Sequence, residues 1–121
     1  MTLTWPEIRA RAAAFAAEWK DAHYERGETQ SFYNAFFAVF GMDRRRVAVY
    51  ERSVDKLTGG RGFIDLFWPG TLIVEQKSLG RDLLGARHQA LDYTHGLPDA
   101  EMPRFVLACD FRTFWLSDLD T

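Results

Sequence analysis

RGFIDLFWPGTLIVEQKS, residues 61–78, decides the fold. Two runs rich in apolar and aromatic residues meet at Pro69-Gly70, and after the opening Arg61 their only charges are Asp65, Glu75 and Lys77. Runs of this composition form central strands of a sheet, where an unpaired charge is costly unless a partner or a metal compensates it. Three ionisable groups in such strands call for a common explanation.

Side chains alternate along a strand, so Glu75 and Lys77 project from one face while Gln76 points away. Asp65 depends on the turn. A two-residue loop at Pro69-Gly70 would set Asp65 opposite Val74 and put the two carboxylates on opposite faces. Tight hairpins need a positive φ at the first central position, which proline cannot adopt, so the connection is predicted to be longer. One added loop residue, or one bulge, brings Asp65 across from Glu75 with Cβ atoms about 5 Å apart. Two carboxylates at that separation can chelate one hard cation. Mg²⁺ suits the pair, because it takes one or two protein carboxylates and keeps water and phosphate as its other ligands; Mn²⁺ can substitute. Lys77, one strand repeat further on, is then placed to stabilise charge on a phosphate or assist an attacking water. An E-x-K on a wet edge strand is the plainer alternative. Phe63, Phe67 and Ile73 on one side, with Leu72 and Val74 on the other, predict that both faces are covered.

Outward from this stretch, Thr4-Trp5-Pro6-Glu7 has capping-box spacing, and Ile8, Ala12, Phe15, Trp19 and Ala22 follow at helical intervals, predicting a helix that ends near Gly27. A second helix is expected from about Glu28 to Phe40, apolar on nearly every side, with Gly41 to stop it. VAVYERSV from Val47 reads as a strand and DKLTGG as a turn. From about Arg81 the helical period returns in Leu83, Ala86, Ala90, Tyr93 and Leu97; RFVLACDF and TFWLSDL close as strands. The expected fold is α/β (α+β), a mixed central sheet of about five strands flanked by helices.

With 121 residues, 47% of them hydrophobic and 15% aromatic, the chain can bury a core as one domain without disulfides. Its single Cys109 lies in an apolar run and is expected to be a small core residue in a reduced compartment; no zinc site is available. No signal-peptide pattern and no span of roughly 20 apolar residues is present, so a cytoplasmic protein with no membrane partner is expected. A formal charge of −2 argues against a strong autonomous binder of nucleic acid.

Asp65, nine residues, Glu75-Gln76-Lys77 resembles the D-x₉-E-x-K signature of PD-(D/E)XK nucleases. QALDY, with Gln89 and Tyr93 one turn apart on a helix face, resembles the Q-x-x-x-Y element of the RecB-like branch. LTWPEIRARAAAFAAEW, FYNAFFAVFG, RVAVYERSV, RGFIDLFWPGTLIVEQKS and PRFVLACDF together resemble the N-terminal endonuclease domain of MmeI-like, type IIL restriction-modification proteins. In those proteins the domain precedes a helical connector, an adenine-specific methyltransferase that uses S-adenosylmethionine, and a target-recognition domain. None of these parts is recognisable within residues 1–121, so the chain is expected to be a single endonuclease-like domain, an N-terminal fragment of a longer polypeptide. Methylation is not attributable to its residues.

The resemblance implies a Mg²⁺-dependent endonuclease acting on double-stranded DNA, with Asp65 and Glu75 as metal ligands, Lys77 as the third catalytic residue, and transient homodimerisation on DNA for cutting both strands. It also implies an accessory carboxylate from the first core helix. Glu28 is one candidate, with a helix-dipole role as its alternative, and Glu51 is the rival. Gln89 and Tyr93 approach the metal site or DNA, or pack. His23, His88 and His95 have no ligand spacing. Arg44-Arg45-Arg46 can meet phosphate or complement a helix end, and the four tryptophans are expected to be core or interface anchors. Two other functions share these features: a non-catalytic nuclease-like module that docks or positions DNA for a methyltransferase, and a structure-selective nuclease of the repair or resolvase type.

Overall fold

A computed structural model of the chain describes residues 2–120. Helix α1, Trp5–Glu18, starts where the sequence predicts: Thr4 Oγ1 accepts the Glu7 N–H at 3.3 Å, and Glu7 Oε1 accepts the Thr4 N–H at 3.4 Å. It ends well before Gly27, and α2, Glu25–Val39, begins earlier than expected. The reason is Glu28, whose carboxylate turns back to accept the N–H groups of His23 and Tyr24 at 2.9 and 2.8 Å. This caps the helix at Tyr24 and leaves Gly27 inside its first turn.

Strands β1 (Val49–Asp55), β2 (Arg61–Trp68) and β3 (Leu72–Gln76), helix α3 (Leu83–Thr94), and strands β4 (Phe105–Cys109) and β5 (Phe114–Asp118) complete the chain. The sheet runs β1-β2-β3-β4-β5, antiparallel throughout except between β3 and β4, which α3 joins as a crossover. This is the mixed, helix-flanked five-stranded sheet expected from the sequence. β1 starts two residues late because Arg44–Arg46 coil into a 3₁₀ turn with Val47 as its end.

The sheet separates two cores. On one face Phe32, Tyr33 and Phe37 of α2 pack on Leu66, Val74, Leu107 and Cys109, with Phe15 and Trp19 of α1 laid over them. On the other, Ala90 and Tyr93 of α3 meet Val54, Ile64, Phe67, Ile73 and Val106. Burial of this kind is worth about 25 cal/mol per Å² of apolar surface and fixes the sheet between its helices.

Trp68 pairs with Leu72, so the loop is three residues, 69–71, with Gly70 at φ 75. The expectation of a longer connection holds. One other expectation does not. Phe63 is 51% exposed although its neighbours Gly62 and Ile64 are buried on the α3 side, so the opposite face is not closed along its whole length. Of the tryptophans, Trp19 and Trp68 are half-buried and pack against the α2 core, whereas Trp5 and Trp115 are exposed. Among the described residues no helix is long and apolar enough to cross a membrane.

Candidate active site

Strand pairing brings the acids together. Leu66 pairs with Val74, and one further step in that register sets Asp65 opposite Glu75. Regular alternation fails at this point. Ile64 belongs to the α3 core and Leu66 to the α2 core although they are only two residues apart; on β1, Tyr50 packs with the α2 core and Val54 with the α3 core. Both strands therefore change face, β2 at Asp65 and β1 beside it at Glu51, which has the left-handed φ of 56. Such backbone in a non-glycine residue costs of order 1 kcal/mol or more and gathers at functional sites. It also takes Glu51 out of the face shared by Val47 and Val49 that simple alternation assigns to it.

The freed side chains bond across the gap. Asp65 N–H donates to Glu75 Oε2 at 3.0 Å, and Gln76 N–H donates to Asp65 Oδ2 at 2.8 Å. Each acid is thus fixed by the backbone of the strand opposite, with its second oxygen uncommitted. Burial lifts the Asp65 carboxyl from 3.8 to about 6, against the Gln76 bond, which lowers it. Glu75, 2% exposed, is raised well above the ordinary range by burial and then by the charge of Asp65. Two like charges out of water repel, and a cation between them relieves both.

β3 keeps its alternation. Gln76 turns to the α2 side, where it accepts a short hydrogen bond from Tyr33 Oη. Lys77 turns to α3: its Nζ donates to Gln89 Oε1 at 3.0 Å, and Gln89 Nε2 donates to Tyr93 Oη at 2.8 Å. The Q-x-x-x-Y pair is therefore strung to the lysine. Gly62 makes room for it, since a Cβ there would overlap the Tyr93 ring. The chain leaving β3 is held at four points, by Lys77 N–H on Cys109 O (2.8 Å), Ser78 Oγ under Glu25 N–H (3.1 Å), Leu79 N–H on His23 O (3.0 Å) and Gly80 N–H on Asp110 Oδ2 (3.3 Å).

The helix carboxylate nearest this site in its electrostatic effect is Glu25, which raises both Asp65 and Glu75 and lines the clefts on either side. Glu51 acts on Asp65 in the same direction. Glu28 is committed to capping, which lowers its carboxyl through the His23 and Tyr24 N–H bonds. Glu25 was open to discovery from sequence only through the helix start, which Gly27 obscured. Among the described residues no group of three or more His, Cys, Asp or Glu is arranged to hold a metal, and the candidate ligands brought together here are the two carboxylates of Asp65 and Glu75. Arg44 and Arg45 are engaged elsewhere, Arg44 with Asn34 and the Tyr50 ring, Arg45 with Asp43.

Residues 10–121 match the family model described as MmeI, N-terminal domain. The chain belongs to this family. No curated protein and no solved structure matches it. Membership in the MmeI N-terminal domain family points to a component of a restriction-modification enzyme, and the paired acids lie inside the matched region.

Proposed function

We propose that this domain is a divalent-metal-dependent endonuclease of the PD-(D/E)XK type that hydrolyses phosphodiesters of double-stranded DNA. The observation that carries the reading is the Asp65–Glu75 pair, Glu75 buried and Asp65 half-buried, each acid anchored to the other's strand, with Lys77 beyond it on the α3 side. Asp65 and Glu75 would hold Mg²⁺, or Mn²⁺ in its place; two carboxylates with free oxygens are what Mg²⁺ takes when water and phosphate complete its shell. When bound, the cation supplies Lewis-acid polarisation of the phosphate and a more acidic water. The protein's own contribution is positioning. Gln89 holds the Lys77 ammonium in one direction, where it offsets negative charge that builds on the phosphate, and Tyr93 fixes Gln89.

Target recognition and methylation belong to other parts of such an enzyme, where S-adenosylmethionine would bind. The test is plasmid cleavage by the full-length natural polypeptide with Mg²⁺, beside Lys77→Ala and Asp65→Asn. Each variant is expected to cut roughly 10²-fold or more slowly while binding DNA. Equal cutting by all three removes the assignment; binding without cutting by any of them favours a DNA-positioning module instead.

A further inference from the structure

Three clefts adjoin across the site as a groove, each sharing at least one lining residue with the next. The first lies between the start of α2 and strands β1 and β2, and contains Arg26, Glu51 and Asp65. The second lies between the starts of α2 and α3, and contains Lys77 and Arg81. The third runs beside α3 under the β1–β2 turn, and contains Lys56 and His88. Glu25 lines the first and second, and Gln89 lines the second and third, so the catalytic groups open onto a path that continues past them in both directions.

We infer that one DNA strand follows this groove, with backbone phosphates held by Arg26 on one side of the site and by Arg81 and then Lys56 on the other. The inference rests on the reading of DNA as substrate. The side chains of these three residues have no hydrogen bond, ion pair or ring contact with any described residue. Arg44, Arg52 and Arg104 are committed to Asn34, Glu101 and Asp118 respectively. The groove's acids outside the site are partly engaged: Asp92 accepts from Leu57 N–H and Thr58 Oγ1, and Asp82 accepts from Gly85 N–H. Gly80, at φ 80, turns the chain after Lys77 so that Arg81 returns to the same cleft as the lysine. With a net charge of −2 the molecule as a whole does not attract phosphate. A narrow line of cations along the path of the cut strand is how such a chain can still engage phosphate, and it fixes which way the strand runs through the site.

The experiment is equilibrium binding of the full-length natural polypeptide to a short fluorescein-labelled DNA duplex in EDTA, read by anisotropy across a salt series. Arg26→Ala, Arg81→Ala and Lys56→Ala are each expected to reduce the slope of log K against log salt by about 0.9, and the triple variant by roughly 2 to 3. Lys20→Ala, outside the groove, should leave the slope unchanged, and unaltered melting temperatures confirm folding. A triple variant with the native slope overturns the inference even where cleavage by the native protein is intact. Reduced slopes together with native cutting by Lys77→Ala and Asp65→Asn uphold the phosphate track and overturn the catalytic assignment; failure of the native protein to bind DNA overturns both.

Discussion

Asp65 is held in place by a bond from Gln76 N–H and held out of water by the strands around it, and the second effect is the larger. Its folded-state value, about 6, lies above the ordinary 3.8, so the folded protein binds the proton more tightly than the unfolded chain does. Stability in metal-free solution should therefore rise as the pH falls from about 6.5 to 4, by no more than about 3 kcal/mol from this group, and be lost again as pH climbs through 6. Asp65→Asn should flatten that part of a melting-temperature profile taken in EDTA. A profile equally steep in the variant would show that other groups cause it. Glu25 belongs to the same argument at longer range. Because its charge raises Asp65, Glu25→Gln should lower the Asp65 value, followed by carbon-13 NMR titration of the side-chain carboxyl, whereas Glu28→Ala should leave it in place and cost about 1 kcal/mol of stability through the lost cap.

The elements show what local pattern can and cannot convey. The strands of residues 61–78 were legible because Pro69 rules out a tight turn, and the three-residue loop then dictates that Asp65 meets Glu75. The α1–α2 boundary was not legible, because a glycine that stops most helices sits here inside one whose cap comes from a carboxylate reaching back five residues to His23. The change of face at Glu51 and Asp65 was equally hidden: strict alternation is the only rule a sequence offers, and it is the departure from it that frees the acids. Gly62 illustrates a tertiary requirement with no local signature. Gly62→Ala should destabilise by about 1–3 kcal/mol through overpacking against Tyr93 and should also slow cleavage, while Tyr93→Phe keeps the packing and loses only the bond to Gln89. Denaturant melts of the two variants, set beside their cutting rates, separate the contributions; a Gly62→Ala protein of native stability would contradict the contact.

Over the whole molecule, stability is unevenly spread. β2, β3 and β4 carry side chains that are fully buried between two helical layers, whereas α1 has no buried residue and rests on the α2 core through Phe15 and its C-cap Trp19. Amide hydrogen exchange should accordingly be fastest among the ordered helices in α1 and slowest in β3 and β4, and similar protection in α1 and β3 would refute this ordering. The segment that follows Lys77, though exposed from Leu79 onward, is tied to β4, to the chain before α2, to the start of α2 and to the β4–β5 turn. Folding has thus already surrendered the rotational freedom of the lysine's backbone. On the proposed reading, a phosphate arriving there would meet a group whose aim was settled beforehand, and little of its binding energy would be diverted to organising that part of the protein.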